Sequence, residues 1–415
     1  MTDLIINIPV HNEEERLPEL FDSIQRAQKN YHIELVLVNH LSTDNSIGII
    51  NSIRSKFYKV NVINEMFPLA CGGKPRNTGF GVAIKLADKY LSETGKRIPI
   101  ATLDCDTQVS DNFIEDAMKK LASGYDIVTF PERYNQNILF NWIKMQDVSF
   151  QENATKALIG LNWFRYELLW GLILKGIKET RGPGGYVMSS NTLNMLGHLQ
   201  PLDKNGKPVT GENNRLGILA NRMDLKVYCS PFYSTVHPRR EISSYSRKNI
   251  QEKGYSLNEF GSEVFKLARP VNDYPKLNAK EWDESLVKGV SRALKMSATR
   301  IACYKKFDEF SELFPNISWK KLVTACKKYI DSNNFDEDEL SVTGSYIYRN
   351  MIDFATESIG KDNFSNLILE IISYIPDNEY LKSWATDNSA TIQPTNCIIK
   401  DLQIKYINEY ENRKS

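Results

Sequence analysis

The sequence predicts an α/β protein in which a mostly parallel sheet is flanked by helices and is followed by a mainly α-helical C-terminal region. Short apolar runs alternate with helical patterns through the first half of the 415-residue chain, and this order is typical of parallel strands joined by helical crossovers. An apolar fraction of 41% and an aromatic fraction of 11% are sufficient for a sizeable core. Helical patterns dominate after about residue 240, so we predict one domain at 1–240 and a second, of unassigned role, at 241–415.

The strands of the sheet are predicted from short apolar runs bounded by polar or turn-forming residues. In chain order these runs are 4–10, 33–40, 60–65, 98–104 and 125–130. Ligands of such sheets bind beyond the carboxyl ends of the strands. The residues that follow these runs are therefore the first candidates for a binding site.

Helices are predicted between these strands. Apolar residues recur at helical spacing within 14–28, and further helical patterns occupy 77–91 and 112–122. Suitable N-cap residues precede the helix after the second strand and the helix at 112–122; they are Ser42, Asp44, Ser110 and Asp111.

Charge and cysteine content narrow the class of protein. The formal net charge is +1, so nothing predicts nucleic acid as a partner. The six cysteines are scattered without a CxxC pair, which indicates reduced thiols in a cytoplasmic protein rather than a disulfide framework or a zinc site. The N-terminus opens directly as a strand and lacks the features of a secretory signal.

The most apolar long window lies at 157–177. It contains Asn162, Arg165, Glu167 and Lys175, which make it a poor membrane span. We expect a buried or amphipathic helix here and no transmembrane segment. A peripheral contact of this helix with lipid is the alternative.

Asp104 and Asp106 follow the fourth predicted strand. Residues i and i+2 at the end of a strand point to the same side, so the two carboxylates can share one hard divalent cation. Turn formation and helix capping are the alternative. That alternative is weakened because Ser110 and Asp111 are suitable caps for the next helix themselves.

The first 240 residues contain several sequence blocks in a characteristic order. The blocks are IPVHNEEERLPELFDSI, LVLVNHLSTDNSIGII, GGKPRNTGFGVAIKLA, ATLDCDTQVS, GPGGYVMSSNTLNMLG and TGENNRLGILANRM. Together they resemble the family 2 glycosyltransferases, whose nucleotide-sugar-binding domain is of the Rossmann-like GT-A type. Residues 241–415 show no comparable resemblance.

The resemblance implies a metal site. Asp104 and Asp106 correspond to the metal-binding DxD motif of the family, and His237 stands where these enzymes often have a late metal-ligand histidine. A divalent cation there neutralises the charge that develops on a leaving nucleotide diphosphate. Mn2+ or Mg2+ is implied, and the imidazole nitrogen of His237 suits Mn2+ somewhat better. A packing role is the alternative for a histidine that precedes a proline.

The same resemblance assigns donor-binding residues. The residues after the first strand hold the base and ribose, and a basic pair lies against the diphosphate. With Asp104 they are Pro9, Val10, Asn12, Glu13, Lys74 and Arg76. A turn into the first helix is the alternative for the first group, and a solvated basic turn is the alternative for the basic pair. Asn77 would cap the following helix or contact the ribose.

Asn39 stands where the family commonly has an aspartate that accepts a hydrogen bond from the uracil ring nitrogen. An asparagine accepts through its oxygen and also donates through its nitrogen. This departure leaves the base open. A UDP-sugar is the first expectation and a GDP-sugar the second, with deoxythymidine as a further alternative.

Glu212 is the predicted general base. Inverting members of the family remove the acceptor proton with a carboxylate, most often the Asp of a Glu-Asp pair. This chain has Glu212-Asn213, and an amide cannot take the proton. An acidic residue stabilised at a helix N-terminus is the alternative for Glu212. Gly184 and Gly185 are expected to line the sugar or acceptor pocket.

The resemblance as a whole implies an inverting, metal-dependent glycosyltransferase that moves a sugar from a nucleotide diphosphate to the hydroxyl of an unassigned acceptor. Asn39 and Asn213 motivate an alternative, a non-catalytic regulatory protein that binds a nucleotide-sugar. A sugar-phosphate nucleotidyltransferase is disfavoured, because IPVHNEEERL lacks the glycine-rich loop that such enzymes have after their first strand.

Overall fold

The computed structural model describes the N-terminal half of the chain most fully. The described residues are 1–66, 73–130, 132–135, 185–197, 213–230, 232–237, 291, 294–295, 298–304, 317–335, 340 and 346–373. The chain divides into two compact units. The first comprises 1–133, 178–237 and 341–344, and the second comprises 134–177, 238–340 and 345–415. The sequence-based division into 1–240 and 241–415 stays a prediction.

Strands in the described residues form a large sheet and a small one. In chain order they are β1 (Leu4–Val10), β2 (Ile33–His40), β3 (Lys59–Glu65), β4 (Pro99–Thr102), β5 (Thr107–Gln108), β6 (Ile127–Thr129), β7 (Glu132–Tyr134), β8 (Tyr186–Ser189), β9 (Val227–Cys229) and β10 (Ser234–Val236). The large sheet has seven strands in the order β3-β2-β1-β4-β8-β6-β9, and the small sheet has the order β5-β10-β7.

The large sheet is mostly parallel, as the sequence predicts. The pairs β1–β2, β2–β3, β1–β4 and β6–β9 are parallel, whereas β8 runs antiparallel to both of its neighbours. The predicted bounds of the first two strands, 4–10 and 33–40, are confirmed.

Helices flank the large sheet and make up most of the described C-terminal region. They are α1 (Leu17–Gln28), α2 (Ser46–Ser52), α3 (Gly73–Thr94), α4 (Phe113–Ala122), α5 (Ser190–Leu196), α6 (Asn213–Arg222), α7 (Ile317–Asn333), α8 (Tyr346–Ile359) and α9 (Lys361–Ser373). Helix α7 packs against α8 and α9 within the second unit. Each helix in the described residues is too short or too polar to cross a membrane.

Strand β1 is buried on both faces because helices cover both sides of the sheet. Ile6 belongs to the apolar cluster that contains Phe21 of α1, whereas Ile5 belongs to the cluster that contains Phe80 of α3. Alternate side chains of a strand point to opposite faces. The continuous apolar run at the start of the chain is thus explained by a two-sided core.

Two expectations for the segment around Asp104 and α4 are wrong. The fourth strand ends at Thr102 instead of residue 104, because the chain enters a turn in which the Thr107 amide donates to the Asp104 carbonyl at 3.1 Å. Helix α4 has Asn112 at its N-cap without a side-chain capping bond. Ser110 contributes only its main-chain carbonyl, which accepts from the Phe113 amide at 2.9 Å.

Candidate active site

The candidate site lies at the carboxyl edge of the large sheet. Strands β1 to β4 end side by side there, since β1 pairs with both β2 and β4, and β2 pairs with β3. The N-terminal part of α3 reaches the same edge, where the Thr78 hydroxyl donates to the Glu65 carboxylate at 3.2 Å. Parallel topology thus collects residues that are far apart in the sequence.

Arg76 and Asp104 form an ion pair at this edge, between Nη2 and Oδ1. The Arg76 side chain is 4% exposed and the Asp104 side chain 20% exposed. Charge-assisted hydrogen bonds of this kind are among the strong ones in proteins. In this structure the cationic partner of Asp104 is therefore a guanidinium group of the same chain.

Asp106 lies next to His237, although the two are far apart in the sequence. The His237 amide donates to the Asp106 carbonyl at 3.0 Å. This bond continues the antiparallel pairing of β10 with β5, in which Val236 lies opposite Thr107. Directly opposite residues of such a pair carry their side chains on the same face, with Cβ atoms about 5 Å apart. The carboxylate and the imidazole therefore project from one face of the small sheet.

The donor chemistry of this edge fits a divalent cation in part. Asp106 offers carboxylate oxygen and His237 offers imidazole nitrogen, a combination that suits Mn2+. Asp104 pairs one of its two oxygens, Oδ1, with Arg76. The described residues contain no group of three or more His, Cys, Asp or Glu side chains in metal-binding proximity. Asp104, Asp106 and His237 therefore stay the predicted protein ligands.

Asn39, at the end of β2, has a fixed amide orientation. Its Oδ1 accepts from the Ser42 amide at 3.3 Å, and its Nδ2 donates to Oδ1 of Asn64 on β3 at 2.9 Å. A main-chain N–H can only donate, so Ser42 assigns the oxygen side of the Asn39 amide. The side chain is buried, with 5% of Asn39 exposed.

Asn12 and Glu13 connect the loop after β1 to the loop after β2. Asn12 has a left-handed backbone with φ 53°, and its Oδ1 accepts from the Thr43 amide at 2.7 Å. The Glu13 amide donates to the Ser46 hydroxyl at 2.9 Å, while the Glu13 carboxylate pairs with Arg16 at 3.3 Å. These contacts hold two loops of the carboxyl edge together.

Pro9 and Val10 contribute mainly through their main chain. The Val10 side chain lies in the apolar core with 1% of the residue exposed. The Pro9 carbonyl accepts from the thiol of Cys105 at 3.1 Å, so the residue between the two aspartates is anchored to β1.

Lys74 lies half-buried in the first turn of α3. A helix N-terminus together with Arg76 is favourable for an anion.

His11 and His40 lie beside this edge. Their ring centroids are 5.1 Å apart, and Nδ1 of His11 donates to the His40 carbonyl at 2.5 Å. Burial lowers the pKa of His40; a hydrogen bond with the Glu65 main chain opposes this shift, and the nearby His11 adds to it. His40 is therefore neutral at neutral pH.

Gly185 packs beneath the edge. It has φ +90°, and a Cβ built on it would lie 2.5 Å from Cδ2 of Leu103 and 3.1 Å from Cε2 of Phe113. The core therefore leaves no space for a side chain there.

Two predicted site residues, Gly184 and Glu212, lie outside the described residues; Asn213 is the first residue of α6. Asn77 is not an N-cap, because α3 begins at Gly73.

Sequence reasoning missed Asn7 and Asn64. Asn7 is a polar residue within an apolar strand, and its Nδ2 donates to the Arg76 carbonyl at 2.8 Å. This break in the apolar pattern was the available signal. Asn64 carries no signal of its own, because its role as the partner of Asn39 depends on the pairing of β2 with β3.

Comparison with known sequences finds a family model that matches the N-terminal part. Residues 5–169 match the model of glycosyl transferase family 2. A Poly(ribitol-phosphate) beta-glucosyltransferase of Bacillus spizizenii is 33% identical over 79 residues, which is 19% of this chain and 12% of the relative. An Undecaprenyl-phosphate 4-deoxy-4-formamido-L-arabinose transferase of Shewanella sediminis is 32% identical over 136 residues, which is 32% of this chain and 37% of the relative.

Similar solved structures include two complexes that contain a nucleotide-sugar. S. aureus TarS 1–349 in complex with UDP-GlcNAc has a TM-score of 0.40 and 12% identity, covering 94% of this chain and 90% of that one. The mannosyltransferase PcManGT from Pyrobaculum calidifontis, in complex with GDP-Man and Mn2+, has a TM-score of 0.36 and 13% identity, covering 80% of this chain and 88% of that one.

Proposed function

We propose that this chain, whose residues 5–169 match the model of glycosyl transferase family 2, transfers a sugar from a nucleotide diphosphate to an acceptor hydroxyl with inversion of configuration. The observation that carries the proposal is the convergence of Arg76, Asp104, Asp106 and His237 on one sheet edge. A guanidinium group, an imidazole and two carboxyl groups meet where a parallel sheet binds its ligands.

The nucleotide would bind across the ends of β1 and β2. The loops after β1 and β2, which are joined by the hydrogen bonds of Asn12 and Glu13, would form one side of the pocket for base and ribose. Asn39 would face the base with the second lone pair of its Oδ1, since Ser42 uses the first and Asn64 holds the nitrogen on the opposite side of the amide. A uracil ring N–H matches that acceptor, and so does the ring N–H of guanine or thymine. A UDP-sugar remains the first choice and a GDP-sugar the second.

The diphosphate would lie against the first turn of α3. Arg76 and Lys74 contribute positive charge there, and the helix N-terminus contributes the positive end of the helix dipole. Asp106 and His237 would hold Mn2+ or Mg2+, which when bound neutralises charge on the leaving diphosphate. Asp104 keeps Arg76 in place at the same edge.

Glu212 would act as the general base. It precedes Asn213, the first residue of α6, and it would accept the proton of the acceptor hydroxyl while that oxygen attacks the anomeric carbon. Asn213 cannot take this role, because its side chain is an amide. Gly184 and Gly185 would border the sugar. The acceptor is unassigned, and we expect the enzyme to be cytoplasmic.

One experiment tests the donor assignment. The thermal midpoint is measured against UDP-, GDP- and dTDP-sugars, each with and without Mn2+, because a ligand that binds only the folded state raises it. A shift that needs both a nucleotide and the cation is expected. If no nucleotide-sugar shifts the midpoint under any condition, the proposal is wrong.

The regulatory alternative is separated from catalysis by the variant Glu212→Gln. If the protein is a transferase, this variant should lose both sugar transfer and hydrolysis of the donor, while its affinity for the donor is retained. A regulatory binding protein shows neither reaction in the wild-type form, although it binds the nucleotide-sugar.

A further inference from the structure

Asn7 is a fully buried amide in the middle of β1. It is 0% exposed, and its neighbours in the strand, Ile6 and Ile8, are apolar core residues. Its Nδ2 donates to the Arg76 carbonyl at 2.8 Å. Within the described part of the chain its Oδ1 has no hydrogen-bond partner.

The unpartnered oxygen lies against Gly79 of α3. A Cβ built on Gly79 would lie 1.8 Å from Oδ1 of Asn7, so the amide occupies the space that a side chain at 79 would need. Leaving a buried acceptor unsatisfied costs about 1–3 kcal/mol. An apolar residue at position 7 would avoid this cost, so stability alone does not explain the asparagine.

Asn7 also touches the strand that leads to the acidic motif. Its main-chain carbonyl accepts from the Leu103 amide and from the Thr102 hydroxyl, each at 3.1 Å. Leu103 precedes Asp104 directly. One residue therefore holds the end of β4 through its main chain and the first turn of α3 through its side chain. The ion pair between Arg76 and Asp104 then links the first turn of α3 to the segment that follows β4.

We infer that Asn7 is a positioning residue whose side-chain amide fixes the first turn of α3, so that the Arg76 guanidinium meets Asp104 at the edge where the donor diphosphate binds. This inference rests on the proposed function for the diphosphate. Arg76 lies inside α3, where its carbonyl also faces the helical hydrogen-bond ladder. Loss of the Asn7 amide therefore leaves the Arg76 carbonyl with its helical hydrogen bond. We expect this loss to shift the first turn of α3 rather than to unfold the helix.

The test compares Asn7→Val with Asn61→Val. Asn61 is a matched control on β3, because its Nδ2 also donates to a main-chain carbonyl, that of Leu35 at 3.2 Å, and to the buried Glu34 at 3.0 Å. Valine suits a strand in both places. The thermal midpoint is measured, and the affinity for UDP in the presence of Mn2+ is determined by calorimetry.

Asn7→Val should keep or raise the midpoint and weaken UDP binding about tenfold, whereas Asn61→Val should lower the midpoint and leave the affinity unchanged. A lowered midpoint with wild-type affinity for Asn7→Val would show that Asn7 is merely structural. In an Arg76→Ala background, Asn7→Val should cause no further loss, since coupled residues are not additive. An equal loss in both backgrounds also overturns the inference.

A crystal structure of Asn7→Val separates this inference from the proposed function. If the wild-type protein binds no nucleotide, the proposed function is wrong, but the position of Arg76 can still be read. A guanidinium displaced from Asp104 supports the positioning role, and an unmoved one contradicts it. Asn7→Ala provides the same readouts if the valine variant does not fold.

Discussion

The main-chain amide of His237 donates to the main-chain carbonyl of Asp106 at 3.0 Å. The bond extends the pairing of β10 with β5, so the two side chains share a face of the small sheet. Both residues come from motifs that the sequence alone can only associate by resemblance. Their proximity gives the predicted cation site a physical basis that does not depend on the family.

Replacing Asp106 by alanine should abolish the dependence of nucleotide binding on the cation and leave the fold intact. The fold persists because Asp106 contributes to the β5–β10 pairing through its main-chain carbonyl. Calorimetry with UDP and Mn2+ should show a loss of at least about tenfold, or ~1.4 kcal/mol. Asp111→Ala is the control, because its side chain is 58% exposed and pairs with Arg26 at the surface. Unchanged metal dependence in Asp106→Ala would remove this residue from the site.

Replacing Asn64 by leucine should narrow the preference for UDP over CDP by about tenfold, which is ~1.4 kcal/mol. The Asn39 amide then loses the acceptor that holds its Nδ2, and this nitrogen can donate to the ring acceptor of cytosine. Asn64→Asp is the control, because a carboxylate still accepts from Nδ2. Affinities for the two nucleotides under equal Mn2+ give the ratio. A ratio that is the same in all three proteins contradicts the role of Asn64.

Replacing Gly185 by alanine should lower the free energy of unfolding by about 1–3 kcal/mol. The backbone has φ +90°, and the new methyl group would lie 2.5 Å from Leu103 Cδ2. Gly81→Ala in α3 is the matched control; a Cβ there has nothing within 4 Å, so alanine should raise stability by up to about 1 kcal/mol. Denaturant titration measures both changes. Equal stability of Gly185→Ala and wild type would argue against a packing role.

Replacing Glu115 by glutamine should reduce the loss of stability in acid. Hydrogen bonds from Lys119 and then Lys29 lower the pKa of Glu115 from 4.5 to about 2 in the folded protein. Between these pH values the unfolded chain binds more protons, so stability falls as the pH decreases through this window. Glu115→Gln should be less stable than wild type at pH 7, and this difference should shrink as the pH approaches 2.

The matched control for the acid experiment is Glu93→Gln. Glu93 lies 3.8 Å from Lys89 and is more exposed than Glu115, so its removal should matter less. Thermal midpoints of the three proteins from neutral pH to pH 2.5 provide the comparison. If the thermal midpoints of Glu115→Gln and wild type fall in parallel as the pH decreases, the lowered pKa assigned to Glu115 is contradicted.

Much of the sheet could be predicted because its strands are local apolar runs. The bounds of β1 and β2 follow from runs that end at polar residues, and both are confirmed. Helix starts were less predictable. The loop after β1 is held by Asp44, whose carboxylate accepts from the Glu14 amide at 3.0 Å, so α1 begins at Leu17 rather than at residue 14. Such loop-to-loop bonds leave no periodic signal in the sequence.

The sequence by itself determined which residue types are available: two aspartates after an apolar run, a basic pair in a glycine-rich segment, and an order of blocks that resembles a known family. Only the tertiary structure decided their partners. Arg76 is paired with Asp104, and Asp106 lies beside His237, because parallel strand order and an antiparallel return bring distant segments to one edge. Local propensity acts over a few residues, whereas a side chain's partner is set by long-range packing, and that distinction separates what could be predicted from what had to be observed.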